Sequence, residues 1–186
     1  MEYINRKPLI ICIGGKAGSG KNTTGNYLSD LFANSGLKVI VSPYTKYLKQ
    51  YIYDITGNMV TDDNKQRGLL QNLSSELIKG KLNNKDFFIN REIEDIEFYS
   101  YFVDVIIIND VRFPREIDLL KNKFPNVISI GVIRKDYDNK LSFKEKNDIT
   151  EISLDNYKDY DYVIDNNDGS LKDKVIDIYK DIEKRN

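Results

Sequence analysis

The chain has 186 residues, enough for one domain that buries most of its apolar surface without disulfide bonds. Lys and Arg number 28 against 29 Asp and Glu, and the net charge of -1 gives no support to binding of a nucleic-acid backbone. One cysteine excludes a disulfide framework, and the absence of histidine removes the commonest general base and metal ligand.

The first apolar run, residues 9–13, is too short for a signal-peptide core or a membrane span. We therefore expect a cytoplasmic protein that has neither a membrane nor a nucleic acid as its partner. The oligomeric state does not follow from the residues, and a homodimer stays open.

A glycine-rich stretch follows this first predicted strand. Five of the eleven glycines fall within residues 14–25, and an apolar stripe at helical spacing comes next: Tyr27, Leu28, Leu31 and Phe32. The order of strand, glycine loop, lysine and helix predicts a phosphate-binding loop. Loop amides and the helix N-terminus attract an anion, and Lys21 adds a point charge for outer phosphates.

The loop departs from the general motif at one position. The pattern G-x-x-x-x-G-K-[ST] is met from Gly15 through Lys21, but the eighth position is Asn22, and Thr23 comes one residue late. The alternative interpretation is a glycine-rich turn that binds nothing. The agreement of strand, glycines, lysine and helix favours the phosphate-binding interpretation.

Five apolar segments are predicted as strands: residues 9–13, 37–41, 103–109, 127–133 and 160–164. Helical patterns follow the first strand, the third from Phe113 and Pro114, and the fifth from Ser170, whereas residues 136–148 are polar. Strands that alternate with helices predict a parallel sheet with helices on both faces and right-handed crossovers.

Residues 44–100 are predicted as a helical insertion between the second and third strands. A helical stripe and a polar loop at 58–66 come first. A helix over residues 66–79 then stops at Gly80, and Asp86 can cap a further helix.

Polar side chains follow the carboxyl ends of several predicted strands, which is where ligands of such sheets bind. We expect the glycine loop to meet three of these side chains and one turn there. They are Ser42, Asp110, Arg134 and the turn from Asn166 to Gly169.

Four motifs carry a resemblance over nearly the whole chain. They are Gly-Lys-Asn-Thr at 20–23, Arg-Gly-Leu-Leu-Gln at 67–71, Asn-Asp-Val-Arg-Phe-Pro-Arg-Glu at 109–116 and Tyr-Val-Ile-Asp-Asn-Asn-Asp-Gly-Ser-Leu at 162–171. Together they resemble the deoxynucleoside monophosphate kinases of the phage type, within the P-loop kinases. Asp-Val-Arg-Phe is the most specific part, and the last motif alone also resembles dephospho-coenzyme A kinases. The phage-type group commonly has Asp where Asn22 stands.

The resemblance implies an α/β, three-layer P-loop kinase fold in a single domain, residues 1–186. Five parallel strands form its core, residues 44–100 its acceptor-binding insertion and residues 135–155 its short lid. It also implies ATP and Mg²⁺, with small-molecule nucleotides as partners. The ATP contacts would come from Gly15, Lys16, Ala17, Gly18, Ser19, Gly20, Lys21, Asn22, Thr23, Asn166 and Gly169.

Phosphoryl transfer needs positioned charge more than a protein nucleophile, so a chain without histidine can perform it. Lys21 would hold the donor, and Asp110 and Asn22 offer hard oxygens to Mg²⁺, directly or through water. Asp110 could instead cap a helix. Arg112, two residues on, leaves an extended chain on the same side as Asp110 and could grip the acceptor phosphate or form a structural pair with Asp110. Arg134 would reach the transferred group as the lid closes.

The acceptor side has candidates in two places. Ser42, Tyr44 and Lys46 follow the second strand, while Arg67 and Gln71 lie one helical turn apart on one face. Gln71 offers a donor and an acceptor to a base edge, and Arg67 a fork to a phosphate. Each residue of this helix is also explained as an ordinary solvated side chain.

Three function classes remain. The first is Mg-dependent transfer of the ATP γ-phosphate to a deoxynucleoside or nucleoside monophosphate, which gives the diphosphate. The second is another small-molecule P-loop kinase, such as one acting on dephospho-coenzyme A. The third is a non-catalytic nucleotide switch, against which no Asn-Lys-x-Asp string follows a predicted strand.

Overall fold

The computed structural model describes residues 3–60, 69–70, 72–135, 137 and 141–185. The chain divides into two compact units. One comprises Met1–Pro43 with Ile96–Asn186, and the other is Tyr44–Asp95, which lies inside the predicted insertion. No described helix is long and apolar enough to cross a membrane.

A five-stranded sheet, parallel throughout, forms the centre of the first unit, in the order β2-β3-β1-β4-β5. Its strands are β1 Leu9–Gly14, β2 Val39–Val41, β3 Val105–Val111, β4 Val127–Ile133 and β5 Tyr162–Asp165. The predicted five-stranded parallel sheet is confirmed. Strand β1 and residues 105–108 of β3 are apolar and almost wholly buried, as a parallel sheet between helices requires.

The helices are α1 Lys21–Asn34, α2 Thr45–Thr56, α3 Asn72–Lys81, α4 Phe87–Tyr99, α5 Pro114–Lys123, α6 Phe143–Lys146, α7 Ile149–Ile152 and α8 Leu171–Arg185. Helices α1 and α8 bury their apolar stripes with one face of the sheet. That core contains Ile11, Ile13, Leu28, Phe32, Val105, Ile107, Ile130, Val132, Val175 and Tyr179. Burial of so many large side chains supplies the main driving force for this unit.

Strand β3 is shifted by two residues from its predicted position. It begins late because the Asp104 carboxylate accepts hydrogen bonds from the Arg6 guanidinium at 2.7 Å and the Lys38 amide at 2.8 Å, just before the strand. It also continues through Val111, which pairs with Gly14. Asp110 is therefore the penultimate residue of β3 and not the residue after it.

A β-bulge interrupts the pairing of β1 with β3 near that end. Cys12 pairs with Ile108 and Gly14 with Val111, so two residues of β3 lie opposite Ile13 alone. Bulges of this kind change the direction of the side chains that follow. The bulge includes Asp110 and comes just before Arg112.

Other element boundaries differ by one or two residues. Strand β2 begins at Val39 and β5 at Tyr162 rather than at 37 and 160. Helix α3 passes the predicted stop at Gly80 and has π-type bonding, in which the Leu82 amide donates to the Leu77 carbonyl five residues back. The start of that predicted helix, residues 66–68, lies outside the described residues.

Candidate active site

The loop between β1 and α1 folds so closely that glycine is required at two positions. Gly15 has φ +145° and Gly20 has φ +110°. A Cβ atom on Gly15 would lie 2.3 Å from the Val132 carbonyl oxygen, and one on Gly20 would lie 2.7 Å from Asn166 Nδ2. Only glycine tolerates both the backbone angles and the contacts.

Lys21, the first residue of α1, turns back over the loop. Its side chain is buried, and Nζ donates to the Gly15 carbonyl at 2.7 Å and the Lys16 carbonyl at 2.8 Å. The Ser19 hydroxyl is also buried and has no hydrogen-bond partner among the residues that the structure describes. A buried cation and an unsatisfied hydroxyl in a glycine cradle suit the oxygens of a phosphate group.

Arg112 follows β3 and points toward the same loop. Its Nη1 lies 2.8 Å from Glu151 Oε1, 3.4 Å from the Thr150 carbonyl and 3.5 Å from the Gly15 carbonyl. The structure thus brings Lys21 and Arg112 to one carbonyl group, that of Gly15. Arg112 forms its ion pair with Glu151. The sequence had offered a structural pair with Asp110 as an alternative, and that pair is not formed.

Glu116 holds the backbone of Arg112 and of the residue after it. Its Oε2 accepts hydrogen bonds from the Arg112 amide at 2.7 Å and the Phe113 amide at 3.1 Å. Glu116 is the third residue of α5, which begins with Pro114. A glutamate at this position commonly reaches back to the residue before the helix, so sequence reasoning could have found this contact.

Residues 149–160 pack against the loop from the predicted lid and the segment after it. Glu151 Oε2 accepts a hydrogen bond from the Ala17 amide at 2.7 Å, and Asp155 pairs with Lys16 at 2.8 Å. The Tyr160 side chain occupies the space beside Gly14 and Gly131. Cβ atoms added to these two glycines would lie only 2.6 to 2.9 Å from atoms of Tyr160. Burial raises the pKa of Tyr160 to about 12, so its hydroxyl is neutral at physiological pH.

Asn166 contacts the loop from the end of β5. Its side-chain Nδ2 donates to the Ser19 carbonyl at 2.9 Å, and its backbone N–H donates to the Ile133 carbonyl at 2.8 Å. At the following turn Gly169 has φ +78°, and a Cβ atom added to it would have no atom within 4 Å. The structure therefore brings Asn166 against the phosphate-binding loop, whereas the role of Gly169 stays a prediction.

Asn22 and Thr23 lie exposed in the first turn of α1, and Asp110 is half-buried. The part of the chain that the structure describes contains no group of three or more His, Cys, Asp or Glu side chains suited to a metal ion. Mg²⁺ usually keeps several waters and takes only one or two protein oxygens in phosphoryl-transfer sites. An amide oxygen and a carboxylate are a donor set of that kind.

Arg134 is exposed after β4, and its guanidinium carbon lies 4.1 Å from the centre of the Tyr137 ring. Within the described ranges it has no hydrogen bond or ion pair with the glycine loop. Its predicted contact with the transferred group stays a prediction. Neighbouring positions 136 and 138–140 lie outside the described residues.

Ser42 and Tyr44 are both buried. The Ser42 amide donates to the Ile107 carbonyl at 2.8 Å and so extends the pairing of β2 with β3. Arg67 and Gln71, the other acceptor candidates, lie outside the described residues.

Lys46 forms a cluster with acidic residues inside the second unit. Its Nζ lies 2.6 Å from Asp95 Oδ2 and 3.1 Å from Glu92 Oε2, and the Tyr47 hydroxyl donates to both carboxylates. Burial alone lowers the pKa of Lys46, but hydrogen bonds and charges of Asp95 and Glu92 outweigh it and raise the pKa above 10.5. Burial and the same two carboxylates also raise the pKa of Tyr47.

Glu151 and Tyr160 are site residues that sequence reasoning did not identify. Glu151 lies 134 positions from Ala17 and 39 from Arg112, and it belongs to a four-residue helix with an ordinary Asp148 cap. Nothing in its local sequence distinguishes it from a surface glutamate. Tyr160 had been assigned to a strand, whereas its ring covers two paired glycines.

Solved structures share this fold over nearly the whole chain, although no protein-family model and no curated protein matches the sequence. APS kinase from Mycobacterium tuberculosis, solved with AMPPNP and APS, is 10% identical with a TM-score of 0.62, covering 95% of this chain and 98% of that one. Shikimate kinase from Acinetobacter baumannii, solved with shikimate, is 16% identical with a TM-score of 0.52, covering 96% and 94%. Shikimate kinase from Aquifex aeolicus is 13% identical with a TM-score of 0.50, covering 95% and 98%. The chain therefore has the fold of the P-loop kinases, as predicted.

Proposed function

We propose that the protein transfers the terminal phosphate of ATP to a deoxynucleoside or nucleoside monophosphate in the presence of Mg²⁺, giving the diphosphate. The observation that carries this proposal is the meeting of Lys21 and Arg112 at the Gly15 carbonyl, at 2.7 and 3.5 Å. Transfer between two phosphate groups needs a cation for each of them close together.

The donor would bind in the glycine cradle. Lys21 holds its charge over the loop, and the Ser19 hydroxyl offers a buried polar group that a phosphate oxygen can satisfy. The first amides of α1 and the helix dipole add to the attraction. Asn166, in contact with the Ser19 carbonyl, would border the nucleotide on the β5 side.

Asn22 and Asp110 would hold Mg²⁺ through their side-chain oxygens, directly or through water. The ion supplies neutralisation of the phosphate charges when it is bound. Thr23, exposed in the same helical turn as Asn22, is placed to contact an inner phosphate.

The acceptor phosphate would bind to Arg112. All hydrogen bonds that the structure gives to its guanidinium, within the described residues, run through Nη1. The edge formed by Nε and Nη2 is left for a bidentate contact with phosphate oxygens. The choice of a nucleoside monophosphate as acceptor rests on the resemblance of residues 109–116, in which Arg112 lies.

The test is a coupled assay with ATP, Mg²⁺ and a panel of acceptors. The panel contains the four common deoxynucleoside monophosphates, the four ribonucleoside monophosphates, dephospho-coenzyme A, adenylyl sulfate and shikimate. We expect turnover with at least one deoxynucleoside monophosphate. Turnover with dephospho-coenzyme A, adenylyl sulfate or shikimate and with no nucleotide would replace the acceptor class. Binding of ATP without turnover on any acceptor would favour a nucleotide switch.

A further inference from the structure

Glu151 is a buried carboxylate with both oxygens engaged by the candidate site. It is 8% exposed, and its two oxygens lie 2.7 Å from the Ala17 amide nitrogen and 2.8 Å from Arg112 Nη1. A carboxylate that leaves water is costly unless it is paired and hydrogen-bonded, and Glu151 is both. Its position is therefore specified by the loop and by Arg112 together.

The peptide group between Lys16 and Ala17 is held from two opposite sides. Its carbonyl accepts a hydrogen bond from Lys21 Nζ, and its N–H donates to Glu151. The carbonyl and N–H of a trans peptide point in opposite directions, and the described chain has no cis peptide bond. Glu151 thus lies across the peptide from the lysine ammonium, outside the face on which Lys21 would meet a phosphate.

Arg112 is held at one corner only. Glu151 binds Nη1, while Nε and Nη2 make no hydrogen bond that the structure gives among its described residues. The backbone of Arg112 is also held, because its backbone N–H donates to Glu116 Oε2 at 2.7 Å. The guanidinium is therefore oriented without loss of the edge that binds phosphate bidentately.

We propose that Glu151 is a positioning residue, which joins Arg112 to the loop peptide and so sets the spacing between the acceptor-phosphate cation and the donor-phosphate loop. This inference rests on the proposed function. An orienting group of this kind matters because a misplacement of about 1 Å can cost on the order of a hundredfold in rate. The competing hypothesis is that the Glu151 carboxylate occupies the position of a phosphate group and must leave before phosphate binds.

The first experiment compares steady-state kinetics of the parent with Glu151→Gln. Glutamine offers one neutral oxygen and places an NH₂ group where a second acceptor is needed, so it cannot satisfy Ala17 and Arg112 together. We expect kcat/KM for the acceptor to fall about 10- to 100-fold, as for loss of a charge-assisted hydrogen bond, with KM for ATP changed less than about twofold. Asp159→Asn is the matched control, because Asp159 is exposed on the same segment, and the hydrogen bonds given to it in the described part of the chain go to its backbone carbonyl.

The second experiment is a double-mutant cycle with Arg112→Lys. If Glu151 acts through Arg112, Glu151→Gln causes less than about a twofold further loss of acceptor kcat/KM in the Arg112→Lys background. Full additivity of the two losses would overturn the positioning role. Glu151→Asp, which keeps the charge on a shorter stem, should recover part of the parent kcat while Glu151→Gln does not.

The third experiment separates failure of this inference from failure of the proposed function. Calorimetric titration of the folded proteins with inorganic pyrophosphate, without Mg²⁺, reports anion binding even if no acceptor is turned over. We expect Glu151→Gln to bind pyrophosphate at least about threefold more weakly than the parent, because Arg112 loses its fixed position beside the loop. Tighter binding by Glu151→Gln would show that the carboxylate competes for the anion and would overturn the proposal.

Discussion

Two cations that the sequence suggested as substrate ligands, Arg112 and Lys46, have opposite surroundings. Arg112 meets one carboxylate, Glu151, through one nitrogen, and its other edge is directed to no partner that the structure describes. Lys46 pairs with two carboxylates, those of Glu92 and Asp95, at 3.1 and 2.6 Å. The comparison teaches that a cation can bind an anionic ligand only when donors remain after its structural partners are satisfied.

The largest expected effect comes from Lys21, whose ammonium group donates hydrogen bonds to two carbonyls of the phosphate-binding loop. Lys21→Ala should lower kcat by about 10²- to 10³-fold or more, because a preorganised charge at the transferred group is lost. A coupled assay with the best acceptor measures this, and circular dichroism checks that the variant is folded. A variant that kept most of its turnover would remove the loop lysine from the proposed mechanism.

Lys46→Met should affect stability rather than binding. Glu92 is completely buried, and the substitution removes a cation that lies 3.1 Å from its carboxylate in the interior. Because the Lys46 and Asp95 side chains are 24% and 35% exposed, we expect a loss of about 2 kcal/mol, below the usual cost for a fully buried pair. Urea unfolding measures it, with Lys85→Met as an exposed control in the same unit. A raised acceptor KM with unchanged stability would instead make Lys46 a substrate ligand.

The same cluster predicts an alkaline loss of stability. The pKa of Lys46 is raised in the folded protein, so its contribution is fully present below its ordinary value of 10.5 and is lost as the pH rises through the higher folded value. Urea unfolding from neutral pH to above that value should show the loss in the parent. Lys46→Met should lack this component of the pH dependence.

Arg112→Lys tests the proposed role of Arg112 as a ligand of the acceptor phosphate. Lysine keeps the charge but cannot present a planar fork, so KM for the acceptor should rise about tenfold while KM for ATP stays nearly constant. Initial rates at varied acceptor and at varied ATP separate the two constants. Loss of ATP affinity alone would move Arg112 to the donor site.

The smallest expected effect concerns Asn22, exposed at the start of α1. Asn22→Ala should raise the Mg²⁺ concentration for half-maximal activity by up to about tenfold, if the lost contact is worth roughly 1.4 kcal/mol. Asn22→Ser should retain activity, since a hydroxyl in that position commonly contacts the ion. Superimposable magnesium titrations of the parent and the alanine variant would leave Asn22 as a helix-start residue only.

Sequence patterns predicted the elements well where the pattern is local. Strand β4 has the predicted limits, 127 and 133, because an apolar run flanked by polar residues specifies its own ends. Strand β3 was shifted because Asp104 is held by Arg6 and Lys38, and because pairing with Gly14 carries the strand through Asp110. Those partners are distant in sequence, and local periodicity cannot reveal them.

The sequence by itself determined that a glycine loop with a lysine joins a buried strand to a helix. That result follows from backbone sterics and hydrophobic periodicity, which act within about 15 residues. Only the tertiary structure decided that Glu151 reaches Ala17 and Arg112, that Tyr160 covers Gly14 and Gly131, and that Lys46 is enclosed by acids. Charged and aromatic side chains have many equivalent positions along a chain, and the partner that each one meets depends on how the packed elements bring distant residues together.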